Sequence, residues 1–527
     1  MKQRVFGEET EYGCAFISDD GQAHSKVNYD DILIGAQCHL EFARNQARVY
    51  KDTGHIEYAT PECLSAHDVV AYSKAGEHIL NNLAKQFTRH VDDNTNSIVK
   101  GRLRFFRHNT ATSQEPACGL PSITFGCHEN YSFDSHKLHR SSAPLDIRLQ
   151  AINEASLSTE SSKKNTGALY TIYQHILPFL ITRFMWSGSG SLVREDEKPV
   201  FQLSQRIPYI KMLSRMRTTG DKGLFNWRDE PHARALGRLH VVCGDANMSE
   251  YQTYLKYGST GIVLGMIEDG YLFGHLNFID GLGVLRALNK TMDFKAQHQL
   301  VGGQWLSALD VQKAYLQSAQ QWARARQDNE LCNTISIWEE TLAGLADNDP
   351  CLERRLDWVA KKTLLDSRAA KPDTTSGTLE QINLQYHDID PDKGLYNLLV
   401  KNGMMDTLLC EEAIRVAALR PPEGSRALTR NAVLNRLEYW KRRGKVIKIT
   451  HVSWDAIWYT VDKFGIKAMH NMSLPTPYDT TKKAVDEVDE FVNSVQVYHT
   501  GSVIEQVVSR MRPFISPILS FLAQRNR

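Results

Sequence analysis

The segment RVFGEETEYG, residues 4–13, sets three glutamates within four positions of a stretch whose Val5, Phe6 and Tyr12 belong in a buried strand. Crowded carboxylates repel one another and lose hydration on burial, so a strand of this kind needs a positive partner or an exposed edge. Side chains alternate along a strand, which sends Glu9 and Glu11 to one face and Glu8 and Thr10 to the other. Two carboxylates on one strand face make a hard, oxygen-rich donor set suited to Mg²⁺. Glu8 is expected to be incidental. An edge strand with its charges in water would also accommodate this stretch taken alone.

A second segment, RVYKDTGHIEYAT, tilts the balance toward a polar site. Arg48, Tyr50 and Asp52 are spaced by two and point together, and a cation, a phenol and a carboxylate on one strand face are not core material. Glu57 and Thr60 follow within a turn and a short strand. Three further blocks are too densely polar for simple packing: GCHENY with His128, Glu129 and Asn130, QLSQR with Ser204, Gln205 and Arg206, and NWRDEPHA followed by GRLHVVCGDANMSE. The last pair supplies Arg228, Asp229, Glu230, His232, His240, Asp245 and Asn247. His232 reads first as a structural residue, whereas His240 opens an apolar strand where site residues are common.

The 527 residues exceed what one ordinary core serves, so two domains are expected. The chain is 42% hydrophobic and 23% charged with a mean hydropathy of -0.39, as in a soluble globular protein. A net charge of +1 argues against a general nucleic-acid binder. Nine cysteines without any C-x-x-C fit reduced thiols in a cytoplasmic protein rather than a disulfide framework or zinc knuckle. No secretory signal is expected, because charge interrupts the N-terminus at once. The most apolar run, ILPFLITRFMW at 176–186, is too short to span a bilayer and holds Arg183, so it reads as a core helix.

Helical and strand-like segments alternate along the chain. Ser65 is a plausible N-cap, with Asp68 three residues on and Tyr72, Ile79, Leu83 and Phe87 on one face of the helix that follows. TATSQEPACGLPS (110–122) reads as a loop and residues 309–368 as mostly helical. A break at RPPEGSR (420–426) precedes a smaller segment. Expected domains are a catalytic body over 1–410, a small C-terminal domain over 411–490 and a helical tail over 491–527, interrupted by Pro513 and Pro517. The basic run YWKRRGKVIK (439–448) most simply ends a helix at Gly444 and secondarily offers a docking patch for an acidic partner. The usual phosphate-binding signatures are missing, so a nucleotide would lie on a sheet, held through Mg²⁺ and arginines.

Taken together, GEETEYG, NQARVYKDTGHIEYATPEC, GCHENY, QLSQR, NWRDEPHA, RLHVVCGDANMSE and LQYHDIDPDKGLYN resemble the Pup ligase and Pup deamidase family, whose members attach or remove the prokaryotic ubiquitin-like protein Pup. The matching blocks run from about residue 4 to 400, and more weakly to about 460. The resemblance implies an α+β, glutamine-synthetase-like fold: a curved antiparallel sheet cradling ATP and metal, flanking helices and a small C-terminal domain. It also implies roles for individual residues. Glu9, Tyr50 and Glu57 would hold Mg²⁺ around one ion, with Glu11, His128 and His240 as further metal-site residues. Arg48, Thr60 and Trp454 (in VSWDAI) would contact ATP, Asp52 would be the catalytic base, and Arg206 and Arg228 would bind phosphate or carboxylate as bidentate donors. Pup or a Pup-like acidic modifier and lysine-bearing target proteins would be the partners, with no nucleic acid and no membrane.

Ligase and deamidase share these residues. The short interval from Glu9 to Asp52, together with GCHENY, NMSE and SALDVQ, resembles the ligase, whereas QLSQR, GDAN, KGLYN and the short DTGHIE connection resemble the deamidase. Deamidases of the family carry a long extra loop between the first glutamate strand and the aspartate strand; its absence is a larger physical change than scattered substitutions, and it favours the ligase. A small-molecule glutamate–amine ligase and a Pup-binding protein without turnover are the remaining alternatives. The chain departs from the family pattern at Gln46, where glycine is usual, at Ile56, where proline is usual, and at RHNT (107–110), where Lys-Asn-Asn is typical.

Overall fold

A computed structural model describes residues 3–24, 42–52, 55–92, 97–110, 124–138, 160–196, 198–215, 222–227, 236–463 and 466–495. The chain forms two compact units, Met1–Pro422 and Glu423–Arg527. The strands of the first unit used below are β1 (Phe6–Ser18), β2 (Arg48–Asp52), β3 (His55–Ala59), β4 (Ser97–Phe106), β5 (Cys127–Phe133), β6 (Ser214–Arg215), β7 (Phe225–Asn226) and β8 (Gly237–Val241). Their order across the sheet is β6-β7-β8-β5-β1-β3-β2, with β4 pairing the second half of β1. These pairings are antiparallel except β6 with β7. β1 is therefore flanked on both sides where its glutamates lie, and the edge-strand alternative does not hold. Helices around an antiparallel sheet give the expected α+β class.

Burial alternates along β1. Phe6, Glu8, Thr10 and Tyr12 are buried, while Gly7, Glu9 and Glu11 are half-buried. The inner face packs against α1 (Ala66–Ala84), α2 (Glu160–Thr182) and α3 (Glu250–Glu268), where Phe6, Tyr131 and Phe133 meet Val69, Ile172 and Val263 in one apolar core. Ser65 caps α1 by accepting from the Asp68 N–H at 2.9 Å, and Asp68 accepts in turn from the Leu64 N–H at 3.0 Å. The apolar run at 176–186 lies in α2 and the short helix after it, Phe184–Ser187. Among the described residues no helix is long and apolar enough to cross a membrane, and the seven described cysteines are free thiols.

Glu8 is not incidental. It projects into the helix layer, where Arg107 donates to its Oε1 at 2.8 Å and Ser73 of α1 at 2.6 Å. Arg107 also donates to Ser73 at 2.8 Å and to Glu77 at 2.9 Å, and Lys74 donates to Glu77 at 3.0 Å. Burial raises the Glu8 carboxyl, but Arg107, Lys256 and two hydroxyls outweigh it and leave it below its ordinary value. Glu129 on β5 is paired with an arginine in the same way. It faces inward to Arg183, which donates to its two oxygens at 2.9 and 2.5 Å and to Thr260 at 2.7 Å.

Gln46 sits in the turn before β2 with φ 64°, and its N–H donates to the Ala43 carbonyl at 2.9 Å. A left-handed backbone is costly with a β-carbon, which explains the glycine usual at this position.

The first unit runs about a dozen residues past the expected boundary at 410. Helix α4 (Glu411–Leu419) belongs to it, because Ala417 and Ala418 join the main core and the Ala417 carbonyl accepts from Asn45 at 3.0 Å. In the second unit α5 (Arg426–Arg442) ends at Gly444, φ 83°, as expected. It is followed by the antiparallel sheet of β9 (Val446–Val452), β10 (Ala456–Lys463) and β11 (Ile466–Ser473). Residues 481–495 form a further helix, tied to α5 by Arg436 and Asp489 at 2.6 Å. The expected 110–122 loop, apart from Thr110, and the tail beyond 495 lie outside the described residues.

Removing the shared cation tests the inner face. Arg107→Met leaves Glu8 and Glu77 facing each other in the core and is expected to cost about 3–5 kcal/mol of stability, measured by denaturant unfolding.

A carboxylate and imidazole face as candidate active site

Strand register assembles the outer face of the sheet row by row. His240 pairs with Asn130 and Asn130 with Gly7; His128 pairs with Glu9, Glu9 with Ala59 and Ala59 with Arg48. One step on, Glu11 pairs with Glu57 and Glu57 with Tyr50; then His55 pairs with Asp52. Residues far apart in sequence thus share one face because each lies an even number of positions from the next along its own strand.

The face contains two potential ligand groups. In each, the ligand atoms lie within 4.8 Å of one another: Glu9 with His128 and His240, and Glu11 with Asp52 and Glu57. Sequence reasoning had Glu9, Tyr50 and Glu57 around one ion. The ligand atoms within 4.8 Å of one another group Glu9 with the imidazoles and Glu57 with Glu11 and Asp52, while Glu9 still exerts the largest charge effect on Glu57 and also acts on Tyr50. Glu9 Oε2 is 3.4 Å from His128 Nδ1 and 3.9 Å from His240 Nε2, while Glu9 Oε1 accepts from Asn130 at 3.1 Å. Tyr50 donates its phenol to Glu57 and carries the Arg48 guanidinium 4.2 Å from its ring centroid.

Charge is unevenly spread over this face. Burial works to raise the Glu9 carboxyl, but the His128 hydrogen bond and the charges of His240, His128 and Arg238 hold it well below the usual range. Glu57 goes the other way: burial first, then the Glu9 charge, push it up to about 9 despite the Tyr50 hydrogen bond. Tyr50 is raised by burial and by Glu57 and Glu9, so its phenol stays protonated. A carboxylate raised by its carboxylate neighbours is what a cation would relieve. The donor set fits: three carboxylates suit Mg²⁺, and a carboxylate with two imidazoles also accepts softer divalent ions. Gly126 serves both groups, because a β-carbon there would come 2.7 Å from His128 Nε2 and 2.8 Å from Glu11 Oε1.

The remaining candidates are placed differently. The Thr60 hydroxyl accepts from the Glu8 N–H at 3.0 Å, which ties it to the strand backbone. Arg206 is buried with its fork turned to protein: it donates to Thr124 Oγ1 at 2.9 Å and to the carbonyls of Phe125 and Val242 at 2.5 and 3.0 Å. It therefore clamps the segment leading to Gly126, and the expected phosphate-binding fork is corrected to a structural one. Arg228, with Asp229, Glu230 and His232, lies outside the described residues. Trp454 belongs to the second unit, where its carbonyl accepts from Arg430 at 2.9 Å and its ring lies 5.3 Å from the Arg430 Cζ.

QLSQR and GDAN prove to be one buried knot. Asp245 accepts from Ser204 Oγ at 2.8 Å, from the Ser189 N–H at 2.8 Å and from the Gln205 and Arg206 N–H groups at 3.1 Å. Two residues of the face had no role in the sequence reading. Asn130 contacts Glu9, and Arg238 donates to Asn130 Oδ1 at 3.1 Å. Their signal was the period of two: Asn130 follows His128 by two positions, and Arg238 precedes His240 by two.

A sheet whose outer face gathers carboxylates and imidazoles, backed by helices, defines a class of protein whose donor set suits divalent cations. The Pup-ligase protein family model matches residues 35–458. A Pup–protein ligase of Kineococcus radiotolerans is 30% identical over 511 residues, covering 94% of this chain and 100% of the relative. A depupylase of Acidothermus cellulolyticus is 33% identical over 424 residues, covering 78% of this chain and 74% of the relative. The ligase PafA, solved in complex with Pup, superposes with a TM-score of 0.73 at 25% identity over 93% of both chains. PafA with ADP shares the fold at 24% identity and a TM-score of 0.67, over 90% of this chain and 96% of that one. The chain belongs to the Pup ligase family.

Metal binding and protonation are expected to be linked on this face. With the Glu57 carboxyl pushed up to about 9, the metal-free protein carries a proton there at neutral pH. A bound cation requires the carboxylate, so Mg²⁺ binding releases that proton and tightens as pH rises toward 9. Calorimetry in buffers of different ionisation enthalpy measures the release, and Glu57→Gln is expected to abolish it.

Proposed function

We propose that this chain is an ATP-dependent ligase that joins the γ-carboxylate of the C-terminal glutamate of Pup, or a Pup-like modifier, to a lysine ε-amine of target proteins. The modified targets would be marked for proteasomal degradation. The observation that carries the reading is the two-group outer face on a chain that matches a Pup–protein ligase over that relative's full length. The short interval between Glu9 and Asp52 favours ligation over hydrolysis.

ATP would phosphorylate the modifier's carboxylate to an acyl phosphate, which the lysine amine then attacks, forming the isopeptide bond and releasing phosphate. Mg²⁺, held by Glu11, Glu57 and Glu9 with His128 and His240, would supply charge compensation for the transferring phosphoryl group. The amine, with an ordinary pKa of about 10.4, is mostly protonated at neutral pH and needs a base. Asp52, at the end of β2, takes that proton. Arg48 and Thr60 would contact the nucleotide, and the Tyr50 phenol would complete the metal site beside Glu57. Tyr50 also keeps Glu57 oriented.

A depupylase is the second reading, supported by the relative from Acidothermus cellulolyticus and by QLSQR and GDAN. On it, the same aspartate serves hydrolysis of Pup's C-terminal glutamine amide or of the isopeptide bond.

One assay separates the two. The protein is incubated with ATP, Mg²⁺, a lysine-bearing target and Pup ending in Glu or in Gln. Conjugation of the Glu form with ADP formation is expected; conversion of the Gln form without ADP would establish the hydrolase instead, and inertness toward both would overturn the Pup reading. Asp52→Asn is expected to lower turnover by at least about 100-fold, the size of a lost general base, with nucleotide binding retained.

A further inference from the structure

Glu9 is held asymmetrically. Its Oε2 lies toward the two imidazoles, at 3.4 Å from His128 and 3.9 Å from His240. Its Oε1 accepts a hydrogen bond from Asn130 Nδ2 at 3.1 Å. An asparagine amide can present either its oxygen or its nitrogen, so this contact needs something that forbids the flipped amide. Arg238 does so: it donates to Asn130 Oδ1 at 3.1 Å, and a guanidinium can only donate. With the oxygen claimed by Arg238, the Asn130 NH₂ must turn to Glu9. Both residues come from the strands that carry the imidazoles. Asn130 is two positions from His128 on β5, and Arg238 two from His240 on β8.

We infer that Asn130, oriented by Arg238, is a positioning residue that fixes the Glu9 carboxylate so that one oxygen stays turned to His128 and His240 for a divalent cation. The inference rests on the proposed reading that Glu9 holds such a cation, and it adds the relay that sets the ligand's rotation. Ligand carboxylates are ordinarily held by hydrogen bonds from a surrounding shell, and losing one typically weakens metal binding about 10- to 100-fold. An unheld glutamate also loses rotamer freedom on binding the ion, a cost the relay removes beforehand.

The test uses Mn²⁺ as the probe, followed by electron paramagnetic resonance and calorimetry on the full chain. Glu9→Gln identifies the binding step that depends on this carboxylate. Asn130→Leu, which keeps the volume and removes both amide contacts, is expected to weaken that step about 10- to 100-fold with the melting temperature near wild type. Arg238→Met removes the lock and is expected to act in the same direction, giving a second route if Asn130→Leu does not fold. Arg238→Lys still only donates and is expected to restore most of the affinity, a rescue that a merely structural role would not require. Unchanged affinity in Asn130→Leu and Arg238→Met, beside a loss in Glu9→Gln, would overturn the relay. Unchanged affinity in Glu9→Gln would remove the cation from Glu9 and overturn the relay together with the metal reading.

Discussion

The Arg107 guanidinium, shared by Glu8 and Glu77, is the interaction on which the sheet depends. It allows β1 to carry acid on both faces. Unpaired, Glu8 would be a bare charge beneath the sheet, and its expulsion would drag the strand out of register. Because side chains alternate, Glu8 cannot turn outward without turning Glu9 and Glu11 inward. The ion pair therefore does more than satisfy a buried carboxylate: it determines which face the site glutamates occupy. Arg183 and Glu129 repeat the device on β5, where the inward acid lies between His128 and Asn130, which face outward. Two neighbouring strands are thus pinned from behind by arginine.

The outer face follows the opposite logic. Its carboxylates crowd together unevenly: Glu9 lies beside the charges of His128, His240 and Arg238, whereas burial and the acidic neighbours push Glu57 up to about 9. A folded core would not tolerate such a cluster for stability's sake. A rigid sheet can hold it ready for a cation, since strand register leaves each side chain few alternatives. Gly126 shows how close the tolerances are: one added carbon would meet two potential ligands at once.

Much of this face was legible because a period of two needs no partner to be read. Glu9 with Glu11, and Arg48 with Tyr50 and Asp52, could be assigned to one side from spacing alone, and the ordered blocks tied them to a family. The division into two ligand groups was not legible, because it depends on how β1 is registered against β3 and β5, and pairing register leaves no mark within one strand. Glu8 was misjudged for a related reason: its partner Arg107 lies 99 positions away. QLSQR and GDAN misled in the other direction. Dense polarity looks catalytic in sequence, yet Asp245 spends it on backbone N–H groups and Ser204 inside the core. Arg206 joins that knot only through its N–H, and its guanidinium is engaged by Thr124 Oγ1 and the carbonyls of Phe125 and Val242.

The departures from the family pattern acquire a physical meaning from the same register. Gln46 accepts a left-handed turn that glycine would adopt at lower cost, but that turn lies before β2, whose pairing with β3 holds Arg48, Tyr50 and Asp52 on the outer face. Ile56 is paired between Tyr12 and Lys51 and points inward, where it joins Tyr12 and Val49 in a buried cluster. An apolar residue replaces proline there on the side away from Glu57. Both changes thus act on the backbone or on the layer behind the sheet, and neither alters a charge on the outer face. A chain can drift at such positions and keep its outer face, because alternation separates the residues that pack from the residues that point outward.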